Sequence, residues 1–152
     1  SGGQMVEQAT HLFDLARYLV GEAKVINALG NKNQRPDYPN SDVADVSAAL
    51  ITLKDKIPGV FSATCVLGGG VDIYMKIICE GVMITITQTD VSFDHFTKKS
   101  IIRLGKDPFL VEDQAFIDAI KTNNPDRLFS DYEDALKTHA LCQDVLDKYQ
   151  EK

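Results

Sequence analysis

The chain has 152 residues, 22 acidic and 16 basic side chains, a formal charge of −6 and a hydrophobic share of 44%. That length predicts a single domain over residues 1–152, able to bury roughly 68–70% of its unfolded surface without a disulfide or metal staple, and the composition excludes intrinsic disorder. The acidic balance argues against nucleic acid or an anionic membrane surface as partners, since no basic cluster exceeds Lys98-Lys99, and no apolar run approaches the ~20 residues that span a bilayer.

Residues 3–20 read as one amphipathic helix. At about 100° per residue, Met5, Val6, Ala9, Leu12, Phe13, Ala16, Leu19 and Val20 share a broad apolar arc, and Gly21 is the expected C-cap. Residues 23–29 read as a strand, and residues 30–41 (GNKNQRPDYPNS) as a loop. Strand patterning then runs from Asp45 to about Leu104. Residues 46–53 and 60–67 flank a turn over residues 54–59 that contains Pro58-Gly59, a hairpin signal. Gly68-Gly69-Gly70 marks a turn before a strand over 71–80, Gly81 separates that strand from 82–89, and residues 91–96 and 100–104 add two shorter strands. A helix over 112–122 ends at Asn123-Asn124-Pro125. Ser130-Asp131-Tyr132-Glu133 is a capping box that opens a long helix through Ala135, Leu136, Leu141, Val145 and Leu146. Helix, antiparallel sheet, then two helices is an α+β layout.

Within the fourth expected strand Val71, Ile73, Met75, Ile77 and Cys79 point one way and Asp72, Tyr74, Lys76 and Glu80 the other. Residues 46–53 are apolar on both faces, which predicts cover on both: helices on one, a partner on the other. Cys65, Cys79 and Cys142 are odd in number and form no C-x-x-C, as expected of reduced, mostly buried thiols in a cytoplasmic protein, and no basic-then-apolar N-terminal block marks a secretory signal.

The residues with chemical potential lie on the first helix. Glu7, His11, Asp14 and Tyr18 are spaced i, i+4, i+7, i+11 and form one stripe within about 60° of helix surface. A carboxylate one turn from an imidazole orients the ring and suits it to acid/base work near neutral pH. The same spacing also describes an ordinary solvated face, or three oxygen and nitrogen donors for zinc. His95 and His139 lack patterned partners and read as structural. The triple glycine has neither G-x-x-x-x-G-K-[ST] nor G-x-G-x-x-G spacing, so it is not a phosphate cradle.

Residues 2–22 (GGQMVEQATHLFDLARYLVGE) resemble the start of the C-terminal domain of the glucose–fructose oxidoreductase/inositol dehydrogenase (Gfo/Idh/MocA) family. The shared pattern is a Gly-Gly pair, an acidic residue, His four later, then Asp, then a Leu-x-Arg-Tyr-Leu-x-Gly close. Residues 112–122 and 130–139 look like the family's closing helices, and residues 42–66 like its first long hairpin. The resemblance implies an open-faced, mainly antiparallel sheet with helices packed on one face, which shapes a substrate pocket and makes a homo-oligomer through the sheet face. It implies an NAD(P)-dependent oxidoreductase of sugars, cyclitols or related polyols, with His11 as the catalytic acid/base, Glu7 as its acidic partner and Asp14 as a substrate-binding residue. The family's Rossmann domain and catalytic Lys have no counterpart here. The resemblance therefore implies half an active site, inactive alone, with NAD or NADP bound only in the intact protein. Two other readings stand beside it: a stand-alone ligand-binding or scaffold protein without redox activity, and a metal-dependent hydrolase or isomerase using Glu7, His11 and Asp14.

Overall fold

The computed structural model describes residues 2–32, 40, 42–67, 73–126 and 128–150. In chain order the elements are α1 (Gly3–Glu7), α2 (Thr10–Val20), β1 (Ala23–Asn31), β2 (Val46–Leu53), β3 (Ile57–Thr64), β4 (Tyr74–Cys79), β5 (Val82–Thr87), β6 (Asp90–His95), β7 (Lys98–Arg103), α3 (Pro108–Thr122) and α4 (Tyr132–Gln150). They form two antiparallel sheets, ordered β1-β2-β3 and β4-β5-β6-β7, so the α+β, antiparallel expectation holds. The chain divides into two compact units, Ser1–Gly70 with Tyr132–Lys152, and Val71–Asp131. The expected triple-glycine turn, the start of the strand expected from residue 71, and most of the 30–41 loop lie outside the described residues.

In the first unit β2 alternates: Ser47, Ala49, Ile51 and Leu53 face inward, while Val46, Ala48 and Leu50 face out. The core of this unit also holds Met5 and Phe13 from the N-terminal helices and Val145 and Cys142 from α4, all fully buried. Phe13 stacks on Phe61 of β3 with ring centroids 4.2 Å apart. In β1 the pairing to β2 shifts between Val25 and Asn27, a bulge at Ile26. The extra residue lets Val25 and Ala28, three apart, both point into the core. Only one face of β2 is covered within the described residues. Leu50 pairs with Val60 across the hairpin, and both remain exposed.

Three local expectations are corrected. First, the single helix over 3–20 is two. The Ala9 N–H bonds the Gln4 carbonyl at 2.8 Å, an i→i−5 span, and the helix restarts with the Leu12 and Phe13 N–H groups on the Ala9 carbonyl. An extra residue in one turn slips the helix phase by about 100°. Met5 and Phe13, eight residues apart, would sit about 80° out of line on a continuous helix; after the slip they lie within about 20° and share one core. Secondly, the hairpin turns earlier than Pro58-Gly59. Lys54 and Asp55 take left-handed conformations (φ 49° and 59°), and the Lys56 N–H closes on the Leu53 carbonyl at 3.1 Å. Pro58 sits instead in β3, an edge strand, where its missing N–H is tolerated. Gly59 faces Ile51, whose side chain would stand 3.0 Å from any Cβ. Thirdly, only Cys142 is buried; Cys65 is half-buried and Cys79 exposed.

In the second unit Met75 and Ile77 of β4 pair with Ile86 and Ile84 of β5, which pair onward with Val91 and Phe93 of β6. This apolar ladder lies on one face, and Tyr74 and Lys76 lie on the other, as the alternation predicts. His95 Nδ1 lies 3.2 Å from the Gly81 carbonyl, a structural contact. α3 starts four residues before the expected helix: Asp107 caps the Phe109 N–H at 3.0 Å and Pro108 opens the first turn. It ends at Asn123 in a left-handed conformation (φ 49°). Among the described residues, no helix is long and apolar enough to cross a membrane.

Candidate functional site

α2 packs antiparallel against α4, and one polar stripe on each helix meets the other. On α4 the residues are Asp134, Thr138 and Cys142, spaced four apart; on α2 they are Arg17, Asp14 and Thr10. Arg17 is the hub, with its side chain 4% exposed. Its Nε and Nη2 fork onto Glu22 at 3.2 and 3.0 Å. Nη2 also reaches Asp134 Oδ1 at 2.8 Å, and Nη1 donates to the Asp134 carbonyl at 3.2 Å and to Thr138 Oγ1 at 2.6 Å. Thr138 Oγ1 in turn donates to Asp14 Oδ1 at 2.6 Å. Next along the stripe, Cys142 faces Thr10, and burial pushes its thiol up from the ordinary cysteine value.

Glu22 reaches Arg17 because Gly21 turns the chain at φ 124°, a region that side chains avoid. The hydrogen bond from Arg17 holds the Glu22 carboxyl below the usual carboxylate range, and Glu22 in turn raises the guanidinium above its own ordinary value.

The four residues of the predicted stripe separate in the structure. Glu7 closes α1, His11 is the second residue of α2, and the phase slip between them moves Glu7 about 100° from the line of the others. Both side chains are exposed, and neither hydrogen-bonds the other. Tyr18 is exposed as well. Asp14 is half-exposed, with one carboxylate oxygen committed to Thr138 and that same oxygen 3.7 Å from Arg17 Nη1. His11 therefore stands in solvent on a helix whose neighbouring face is pinned to α4. An imidazole so placed can exchange a proton with a bound hydroxyl.

Sequence reasoning missed Arg17, Thr138 and Asp134. One signal was present: Arg17 lies about 40° from Phe13, inside the apolar arc. A cation there requires buried acceptors. Which acceptors, 117 to 121 residues away, periodicity does not say.

A separate cavity of about 360 Å³ is lined by Gly30, Lys32, Asp42, Leu146 and Tyr149, among others, and burial raises the Tyr149 phenol. None of Glu7, His11 or Asp14 lines it. Among the described residues, no three His, Cys, Asp or Glu side chains converge as a metal site would require.

A nicotinamide dinucleotide does not fit the described residues. Both sheets are antiparallel throughout, without the parallel strand–glycine turn–helix that holds a pyrophosphate. The start of α3 is occupied by the Asp107 carboxylate, and the first turn of α4 carries Glu133 and Asp134, which repel phosphate.

Comparison with known proteins gives a consistent set. The sequence profile of the GFO/IDH/MocA C-terminal domain matches residues 1–85. The uncharacterized protein UNK4.17 of Schizosaccharomyces pombe is 26% identical over 171 residues, covering 97% of this chain and 42% of that protein. Among solved structures, UDP-N-acetylglucosamine 3-dehydrogenase GnnA from Acidithiobacillus ferrooxidans superposes with a TM-score of 0.80 at 20% identity, over 97% of this chain and 47% of that one. Levoglucosan dehydrogenase in complex with NADH and L-sorbose gives 0.77 at 19% identity, over 98% and 48%. KijD10, a 3-ketoreductase from Actinomadura kijaniata in complex with TDP-benzene and NADP, gives 0.76 at 15% identity, over 97% and 48%. The chain spans about half the length of these relatives or slightly less.

Proposed function

The chain belongs to the GFO/IDH/MocA family, and from that membership we propose that it is the substrate-binding and oligomerisation domain of an NAD(P)-dependent oxidoreductase acting on a sugar, cyclitol or related polyol. The observation that carries the reading is His11, an exposed imidazole in the family's pattern on a helix held rigidly by Arg17. The names of three structural relatives support the substrate class: a dehydrogenase of a UDP-sugar, a dehydrogenase of levoglucosan and a 3-ketoreductase.

In this reading His11 accepts the proton of the substrate hydroxyl that is oxidised, or returns it in the reverse direction. Glu7 is its acidic partner by the family's pattern alone, since the phase slip sets it about 100° from the line of His11. Asp14 offers its second oxygen, Oδ2, to a neighbouring substrate hydroxyl. NAD or NADP is held outside these 152 residues, so the chain alone is inactive. The outward face of β1-β2-β3, with Leu29, Val46, Ala48, Leu50 and Val60, pairs with a second copy of the chain. Burying ~800 Å² per partner is the usual size of a specific interface.

The test is turnover by the full-length protein of a panel of sugars and polyols with NAD or NADP. His11→Ala should lower kcat by about 10²–10⁴-fold, the usual worth of positioned proton transfer. A His11→Ala enzyme with unchanged kcat overturns the assignment. Light scattering over a range of concentrations should give a discrete dimer or larger assembly; a monomer throughout removes the interface.

A further inference from the structure

We infer that Thr138 is a positioning residue for the substrate site: its hydroxyl fixes the Asp14 carboxylate so that Oδ2 is presented to a sugar hydroxyl. The inference rests on the proposed function and extends it to a residue on α4, 124 positions away from Asp14.

The direction of the hydrogen bonds carries the argument. Thr138 is buried at 4% exposure and has one proton to donate. Arg17 is donor-only, so at the 2.6 Å contact with Arg17 Nη1 the threonine oxygen accepts. The threonine proton is then directed to Asp14 Oδ1, also at 2.6 Å. The chain Arg17→Thr138→Asp14 has one polarity, and each bond strengthens the next in a site screened from water. It leaves Asp14 with one oxygen fixed and one available on a side chain that is 41% exposed.

A purely structural role for this link is a poor account of it. Arg17 already ties α2 to α4 through the side chain and the carbonyl of Asp134, without Asp14. At 3.7 Å Arg17 Nη1 and Asp14 Oδ1 form an ion pair without a hydrogen bond, so the directional link from the hub to Asp14 is the one through Thr138. A half-exposed Asp could satisfy itself in water. Locking its carboxylate to a buried hydroxyl restricts its rotamers, an arrangement that suits a group required in one orientation.

Thr138→Val keeps the shape of the side chain and removes the proton donor. In the full-length enzyme it should raise KM for the sugar by about tenfold while kcat stays within about twofold, because an orienting contact made equally in ground and transition states acts on binding. Thr138→Ser should restore KM. Three-bond couplings should report a single Asp14 χ1 rotamer in wild type and Thr138→Ser and averaging in Thr138→Val. Asp14→Asn, which keeps the acceptor for Thr138 but exchanges Oδ2 for an NH₂ donor, should raise KM as well, and it serves if Thr138→Val does not fold. With the wild type turning over, an unchanged KM in Thr138→Val overturns this inference alone, as does an unchanged KM in Asp14→Asn or a serine variant that fails to rescue. If the wild-type enzyme turns over no sugar or polyol, both this inference and the proposed function fall.

Discussion

The two compact units are built from similar proportions of regular structure but bury very different sets of side chains. The first sinks Met5, Phe13, Ile51, Cys142 and Val145 to 1% exposure or less and closes α2 onto α4 through a buried arginine. In the second, Ser92 and Ala119 are the only buried residues among those described, and each keeps 8% exposure. Its α3 leaves Phe109, Leu110, Phe116 and Ile120 each more than half exposed. Backbone ladders and good caps therefore suffice to define strands and a helix, whereas burial decides where stability resides. The chemistry proposed for His11 and Asp14 lies in the unit with the core, where a site can be held still.

The difference has measurable consequences. Phe13→Ala, which removes a ring stacked on Phe61, should cost about 3–5 kcal/mol in urea unfolding, whereas Phe116→Ala on the exposed side of α3 should change stability by no more than about 0.5 kcal/mol. Equal effects would mean that the second unit has a core of comparable weight. Arg17→Met should cost about 1.5–3 kcal/mol, since several charge-assisted hydrogen bonds lose their donor and Thr138 loses a partner. Amide exchange should follow the same division, with β2 and α4 protected longest and β7 and α3 exchanging first.

Acid should weaken the first unit through a defined group. The Glu22 carboxyl is held low by Arg17, so between its folded value and the unfolded value of about 4.3 the unfolded chain binds more protons. The stability Glu22 contributes is therefore complete above that unfolded value and is lost as pH falls through the folded one. Because Glu22 is largely exposed the effect is modest: Glu22→Gln should lower the neutral plateau of a stability–pH curve slightly and flatten its acid limb, so that the two curves converge at low pH. The smallest expected effect is at Ser47, whose buried Oγ has no hydrogen-bond partner among the described residues. Ser47→Ala should leave stability unchanged or raise it by up to about 1 kcal/mol.

Most of the elements were legible in the sequence because their signals are local. Alternation in residues 74–79 and an apolar run before a turn in residues 46–53 place the strands, and Asn123 ends α3 as turn chemistry requires. Asp107-Pro108 was an available start signal for α3 that the apolar pattern beginning later had masked. The candidate site was only half legible. Helical spacing and the family resemblance both point to His11 and Asp14, but spacing takes residues 3–20 as one helix and so aligns Glu7 with His11. It also grouped Asp14 with the solvated residues, whereas its carboxylate is turned to Thr138.

By itself the sequence determined the order and type of the elements, the antiparallel α+β layout and the place of His11 and Asp14 on the first long helix, since each follows from short-range periodicity, capping and motif spacing. Only the tertiary structure decided that the helix breaks at Gln8-Ala9, that Arg17 is buried and that Asp14 and Thr138 share a proton donor and acceptor across 124 residues. The reason is physical. The break is set by the need of Met5 and Phe13 to reach one core, and the polar contacts are set by which surface of α4 the packing brings against α2; neither quantity exists until distant segments meet.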